Sequence, residues 1–208
     1  MTATLTFYTH PLSRGRLARW MLEETGLPYE EVVVEFGTTM KSPDYLAVNP
    51  MGKVPALRHG EVVVTENAAI CAYLAELVPE KGLVPPSGSP ERGAFYRWLF
   101  FFAGPFEAWL TAKSTGTLAP AVGAGYGEDG DVLRTLEQAL RDRRHLAGNG
   151  FTAVDLYVAA SLGYFMMTGA IAKNPVFEAF VAHHAGRPAA AAANARDNAL
   201  AAKYPPAG

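Results

Sequence analysis

Short apolar runs alternate with helical spacing over roughly the first eighty residues, and helical spacing alone runs through the remainder. Leu5 to Tyr8, Glu31 to Val34, Val54 to Leu57 and Val62 to Thr65 have the length and the β-branched or aromatic content of strands. Leu17 to Thr25 and Ala68 to Leu77 repeat apolar residues at helical intervals, and Gly26 followed by Pro28 stops the first of them. The predicted order is β-α-β, a variable middle, then β-β-α. Arg58-His59-Gly60-Glu61 is a short polar turn with glycine, so the last two strands read as an antiparallel hairpin.

Pro79 to Pro90 holds four prolines, two glycines and two serines and reads as a linker. Beyond it, Gly93 to Ala112, Asp131 to Leu146, Thr152 to Thr168, Pro175 to Ala185 and Pro188 to Ala202 are predicted helices, with the glycine-rich stretch Thr115 to Gly130 as the main break. The expected class is α/β plus all-α: a domain over 1–78, a linker over 79–90 and an all-helical domain over 91–208. The run Ala189 to Ala193 favours helix but fills little volume, which suggests a thin peripheral helix. The last four residues, Pro-Pro-Ala-Gly, should fray.

Leu156 to Ala172 carries no charge and approaches the ~17–25 residues that span a bilayer. Ser161, Gly163, Thr168 and Gly169 dilute it, Asp155 opens it, and no basic or aromatic belt flanks it, so a buried core helix is expected and no membrane contact. The chain is 208 residues long, half hydrophobic, with a formal net charge of -2, which leaves no electrostatic footprint for nucleic acid. The single cysteine, Cys71, excludes an internal disulfide and a multi-cysteine zinc site, and the start lacks the basic region of a secretion signal, so a cytoplasmic protein is expected. Histidines 10, 59, 145, 183 and 184 lack metal-site spacing, and no metal is expected.

Phe151-Thr-Ala-Val-Asp155-Leu156 is a capping box with Phe151 and Leu156 at the staple positions, which accounts for Asp155 without catalysis. Three other places carry candidate chemistry. Val54-Pro55 precedes a strand: a cis bond there would turn the Val54 amide and carbonyl outward to pair with an extended ligand, whereas a trans bond makes an ordinary turn. Glu66-Asn67 heads a helix, where free amides attract a carboxylate and Glu66 can hold an ammonium; capping by Asn67 is the other reading. Ser13 opens the first helix, where hydroxyl and amides can stabilise an anion, and Tyr8 ends the strand close by.

Taken in order, Ser13-Arg-Gly-Arg-Leu-Ala-Arg-Trp-Met-Leu-Glu-Glu24, Asn49-Pro-Met-Gly-Lys-Val-Pro-Ala-Leu57, Thr65-Glu-Asn-Ala-Ala-Ile70 and Phe151-Thr-Ala-Val-Asp155 resemble the blocks of the glutathione S-transferase family, across the whole chain. The resemblance implies a thioredoxin-like amino-terminal domain that binds glutathione as co-substrate and a helical domain that supplies most of the pocket for a small hydrophobic electrophile. It implies that Val54, before a cis Pro55, pairs with the cysteinyl backbone, that Glu66 and Asn67 hold the γ-glutamyl end, and that Lys53 reaches a carboxylate. The family more often has serine where this chain has Asn67. The nucleophile would be the glutathione thiolate, stabilised by Ser13 as in several branches or by Tyr8 as in others; Cys71, inside a helix, is excluded. Phe95 to Trp109 is apolar all round, and the resemblance assigns it a subunit interface and an electrophile pocket, hence a homodimer. The implied activity is conjugation of glutathione to hydrophobic electrophiles or reduction of organic hydroperoxides. A non-catalytic ligand carrier or an interaction module on the same fold is the alternative, and Val54-Pro55 with Glu66 argues against the module.

Overall fold

The computed structural model describes residues 4–204; the start at residues 1–3 and the end expected to fray, 205–208, lie outside the described residues. The chain divides into two compact units: the described residues up to Lys81 together with those from Gly186 onward, and Gly82–Ala185.

The first unit is built on four strands, β1 (Leu5–Thr9), β2 (Tyr29–Val33), β3 (Ala56–His59) and β4 (Val62–Thr65), in the order β2-β1-β3-β4. β1 pairs parallel with β2 and antiparallel with β3, and β3 and β4 form the expected hairpin, with His59 opposite Val62. β3 begins at Ala56, two residues later than the apolar run suggests, because Pro55 has no N–H to give to the ladder. Helix α1 (Gly15–Thr25) turns Leu17, Ala18, Met21 and Leu22 inward and ends on left-handed Gly26, whose amide bonds to the Leu22 carbonyl at 3.0 Å. The short α2 (Pro43–Leu46) is capped by Ser42, and α3 (Asn67–Glu76) buries Ile70, Cys71 and Leu74.

The last helix, α9 (Pro188–Ala201), packs on α1 and belongs to this unit, whereas the sequence pattern groups it with the helical domain. Small Ala190 and Ala193 are its buried apolar residues and permit a close approach, and three charged pairs fix it: Asp197 with Arg19, Arg187 with Glu24 and Arg196 with Glu23. Arg19 donates from Nε to Asp197 Oδ1 at 2.7 Å with both side chains fully buried, and Arg187 forks onto Glu24 at 2.6 and 2.8 Å. Burial works against the Arg19 guanidinium, but Asp197 and Glu31 outweigh it and hold its pKa up.

In the second unit, α4 (Pro90–Phe101) begins with Ser89 as cap and Pro90 in its first turn. It runs through a π turn, Phe102–Phe106, into α5 (Glu107–Ser114), so the single helix expected over 93–112 is a helical run widened where Pro105 lacks an amide. α6 (Asp131–Leu140) stops six residues short of the expected Leu146, whose amide is taken by Asp155 Oδ1 at 2.7 Å. α7 (Ala153–Met167) is buried on nearly every side, as a charge-free core helix should be, and α8 (Pro175–Ala185) packs along it. Phe102 stacks on Phe106 at 4.0 Å, and Tyr157 and Phe165 extend the aromatic core. Among the described residues no helix is long and apolar enough to cross a membrane.

Candidate functional site

The turn from β1 into α1 has to bring a helix start against a strand end. Gly15 makes this fit: a Cβ there would lie 2.1 Å from Thr9 Oγ1. Within the turn the Ser13 amide and Oγ both donate to the His10 carbonyl, at 3.0 and 2.7 Å, and Ser13 Oγ accepts from the Gly15 amide at 2.9 Å. His10 is buried against Phe36, its Nδ1 accepts from the Leu12 amide at 3.2 Å, and burial draws its pKa down. The N-cap residue Arg14 makes no side-chain cap bond, and the first amide of α1, that of Gly15, is taken instead by half-buried Ser13.

Tyr8 goes elsewhere. Successive strand residues point to opposite faces, and Phe7 turns to Arg19 of α1 while Tyr8 enters an apolar cluster with Val34, Met40, Tyr45 and Ala56. Its ring lies 5.7 Å from that of Tyr45 and 5.7 Å from the Arg58 guanidinium.

The loop before β3 is held from both sides. Tyr45 donates its hydroxyl to the Lys53 carbonyl at 2.6 Å, Asn49 Nδ2 donates to the same oxygen at 2.8 Å, and Lys41 Nζ donates to the Met51 carbonyl at 2.9 Å. Burial pushes the Tyr45 phenol up to about 12, which keeps it protonated as a donor. Gly52 has φ +56, and a Cβ there would lie 2.8 Å from the Met40 carbonyl. The loop delivers Lys53 with its side chain exposed and Val54 ahead of the ladder, and the Val54–Pro55 bond is cis. Sequence reasoning passed over Tyr45 and did not assign Asn49 a role; the Asn-Pro pair two residues before a glycine was the available signal.

At the head of α3 the structure departs from simple capping. Glu66, not Asn67, is the N-cap; it makes no side-chain cap bond and holds φ +66, a rare value for a non-glycine residue. Asn67 Nδ2 instead donates to the Arg14 carbonyl at 3.2 Å, and its Oδ1 is buried without a partner among the described residues. This bond brings the head of α3 together with the turn that carries Ser13, whereas Tyr8 is not part of it.

The second unit holds a different polar cluster. Ring nitrogens of His145 and His184 and a carboxylate oxygen of Asp155 lie within 4.8 Å of one another, a convergence that spacing in the sequence did not reveal. The carboxylate caps α7: Oδ2 accepts from the Thr152 amide at 2.8 Å and its hydroxyl at 3.1 Å, and Oδ1 accepts from Leu146. His184 Nε2 pairs with the Arg144 carbonyl at 2.8 Å. His145 also lines an open cavity of about 680 Å³ that includes Arg143 and Arg144 and none of the predicted site residues. Cys71 is fully buried, and burial pushes its thiol well up, so it is no nucleophile.

The family model described as glutathione S-transferase, N-terminal domain, matches residues 3–76, and that for the C-terminal domain matches residues 98–188. A glutathione S-transferase of Xanthomonas campestris is 32% identical over 181 residues, covering 79% of this chain and 84% of the relative. The crystal structure of a glutathione transferase from Methylococcus capsulatus superposes with a TM-score of 0.77 at 29% identity, over 94% of this chain and all of the other. A sphingomonad glutathione S-transferase solved with glutathione superposes with a TM-score of 0.76 at 30% identity, over 93% of this chain and 98% of that one.

Proposed function

Because the chain belongs to the glutathione S-transferase family and is a glutathione transferase with glutathione as co-substrate, we propose that its first unit binds glutathione across the three elements just described. The observation that carries this reading is the uncapped head of α3, tied by Asn67 to the Ser13 turn. The first amides of α3 donate to the carboxylate of the γ-glutamyl group, and Glu66 beside them holds its ammonium. Val54, outside the ladder, pairs with the cysteinyl backbone as an added strand, and Lys53 reaches a second carboxylate.

The thiol then falls at the head of α1. There the Ser13 hydroxyl rotates from the His10 carbonyl to the sulfur while Oγ keeps the Gly15 amide, and the helix end adds its partial positive charge. Both effects favour thiolate over thiol and so raise the fraction of active nucleophile near neutral pH. The thiolate attacks a small hydrophobic electrophile, and the same nucleophile serves for reduction of an organic hydroperoxide. Exposed Phe100, Tyr164 and Met167 on the helical unit support an apolar second substrate. The single cysteine supports a cytoplasmic setting, and the family resemblance supports a homodimer acting in detoxification. Capture on immobilised glutathione, together with turnover of glutathione and an activated aryl halide, tests the proposal; capture without turnover would leave a carrier, and no capture would favour an interaction module.

A further inference from the structure

The turn that carries Ser13 is short, lies outside the ladder and contains Pro11, which has no amide to help hold it. Of its carbonyls, that of His10 is filled by Ser13 itself. That of Pro11 is filled from outside: Arg16 donates to it from Nε at 2.6 Å and from Nη2 to Asn198 Oδ1 on α9 at 2.9 Å. The next residue of α9, toward the amino end, is Asp197, whose buried bond to Arg19 fixes how α9 lies along α1. One guanidinium thus links the Ser13 turn to a helix 182 residues away in sequence.

We propose that Arg16, held by Asn198, is a positioning residue that fixes the Ser13 hydroxyl for the glutathione sulfur. The inference rests on the reading of Ser13 as thiolate stabiliser. A planar fork can serve the carbonyl and the amide oxygen together, which a single ammonium cannot do in the same geometry. The bond to Asn198 is exposed and adds little to folding, so the loss falls on the placement of the turn. A shift of about 1 Å in a reacting group costs up to ~10²-fold in rate.

Steady-state kinetics of Arg16→Ala, Asn198→Ala, Asn198→Asp and Ser13→Ala, with the Arg16→Ala/Ser13→Ala double variant, test this. Arg16→Ala is expected to lower kcat about tenfold with the KM for glutathione changed less than about twofold. Asn198→Ala is expected to lose less, and Asn198→Asp, which still accepts from the guanidinium, to keep the parental kcat. In the double variant Arg16→Ala should add nothing to the loss from Ser13→Ala, because both act through one hydroxyl. A slow Ser13→Ala with a normal Arg16→Ala overturns this inference alone, as does a double variant whose losses multiply. A normal Ser13→Ala overturns the Ser13 reading and this inference with it. If Arg16→Ala does not fold, the Asn198 pair carries the same comparison, and equal kcat in Asn198→Ala and Asn198→Asp overturns the proposal.

Discussion

The head of α7 and the head of α3 solve the same problem in opposite ways. Each leaves backbone amides without helical partners. At α7 the chain supplies its own anion: Asp155, fully buried, accepts from the Thr152 amide, the Thr152 hydroxyl and the Leu146 amide. At α3 the N-cap Glu66 holds φ +66 and makes no side-chain cap bond, while at α1 the N-cap Arg14 makes none and Ser13 Oγ takes the Gly15 amide. A helix start that carries its own carboxylate is structural; the uncapped start of α3, joined by the Asn67 bond to the Arg14 carbonyl at the head of α1, suits an anionic ligand that brings its own. Under the proposed function, the contrast separates polar residues that act on stability from those assigned to the substrate.

The largest effect expected from this contrast is at the head of α1. Losing one preorganised donor to an anion costs ~10²–10³ in kcat, so Ser13→Ala should fall in that range with little change in glutathione affinity and recover in part at alkaline pH. At the head of α3, Glu66→Ala removes a charged contact worth ~1.5–3 kcal/mol, which should raise the KM for glutathione roughly tenfold to a hundredfold. An unchanged KM in a folded variant would erase the distinction between the two helix heads. At the head of α7, Thr152→Ala should lower unfolding free energy by ~1 kcal/mol and leave turnover per folded molecule nearly intact, measured by denaturation alongside kinetics. A specific loss of turnover at unchanged stability would place α7 on the substrate side after all. The smallest effect belongs to Tyr8→Phe: the ring stays in its cluster with Val34 and Tyr45, and kcat should change far less than in Ser13→Ala.

Local chemistry was legible in the sequence and long-range closure was not. The hairpin around Gly60, the Gly26 stop and the Thr152–Asp155 box depend on residues within a few positions of one another; the stop and the box appear where the pattern places them, and the hairpin forms with a turn narrowed to Gly60-Glu61, because Arg58 and His59 pair within β3. The end of α6 was overestimated because Leu146 looks helical by spacing, while its amide is claimed by Asp155. The Glu66–Asn67 pair was found, but its division of labour was inverted: propensity favours Asn67 as cap, and the fold assigns that position to Glu66 and sends the Asn67 amide to Arg14. Docking of α9 on α1 depends on Asp197 and Asn198 meeting Arg19 and Arg16, partners that no local pattern connects. An alanine-rich segment reads as peripheral until those pairs are seen.

The account turns on the Ser13 hydroxyl and the head of α1 stabilising a thiolate, and titration of enzyme-bound glutathione by its thiolate ultraviolet absorbance reads this directly. The parent should ionise bound glutathione below the ~8.5 of a free thiol. Ser13→Ala should move that midpoint up toward the free value, while Glu66→Ala, saturated with glutathione, should leave it in place. A midpoint that stays put in Ser13→Ala and rises in Tyr8→Phe would contradict the account.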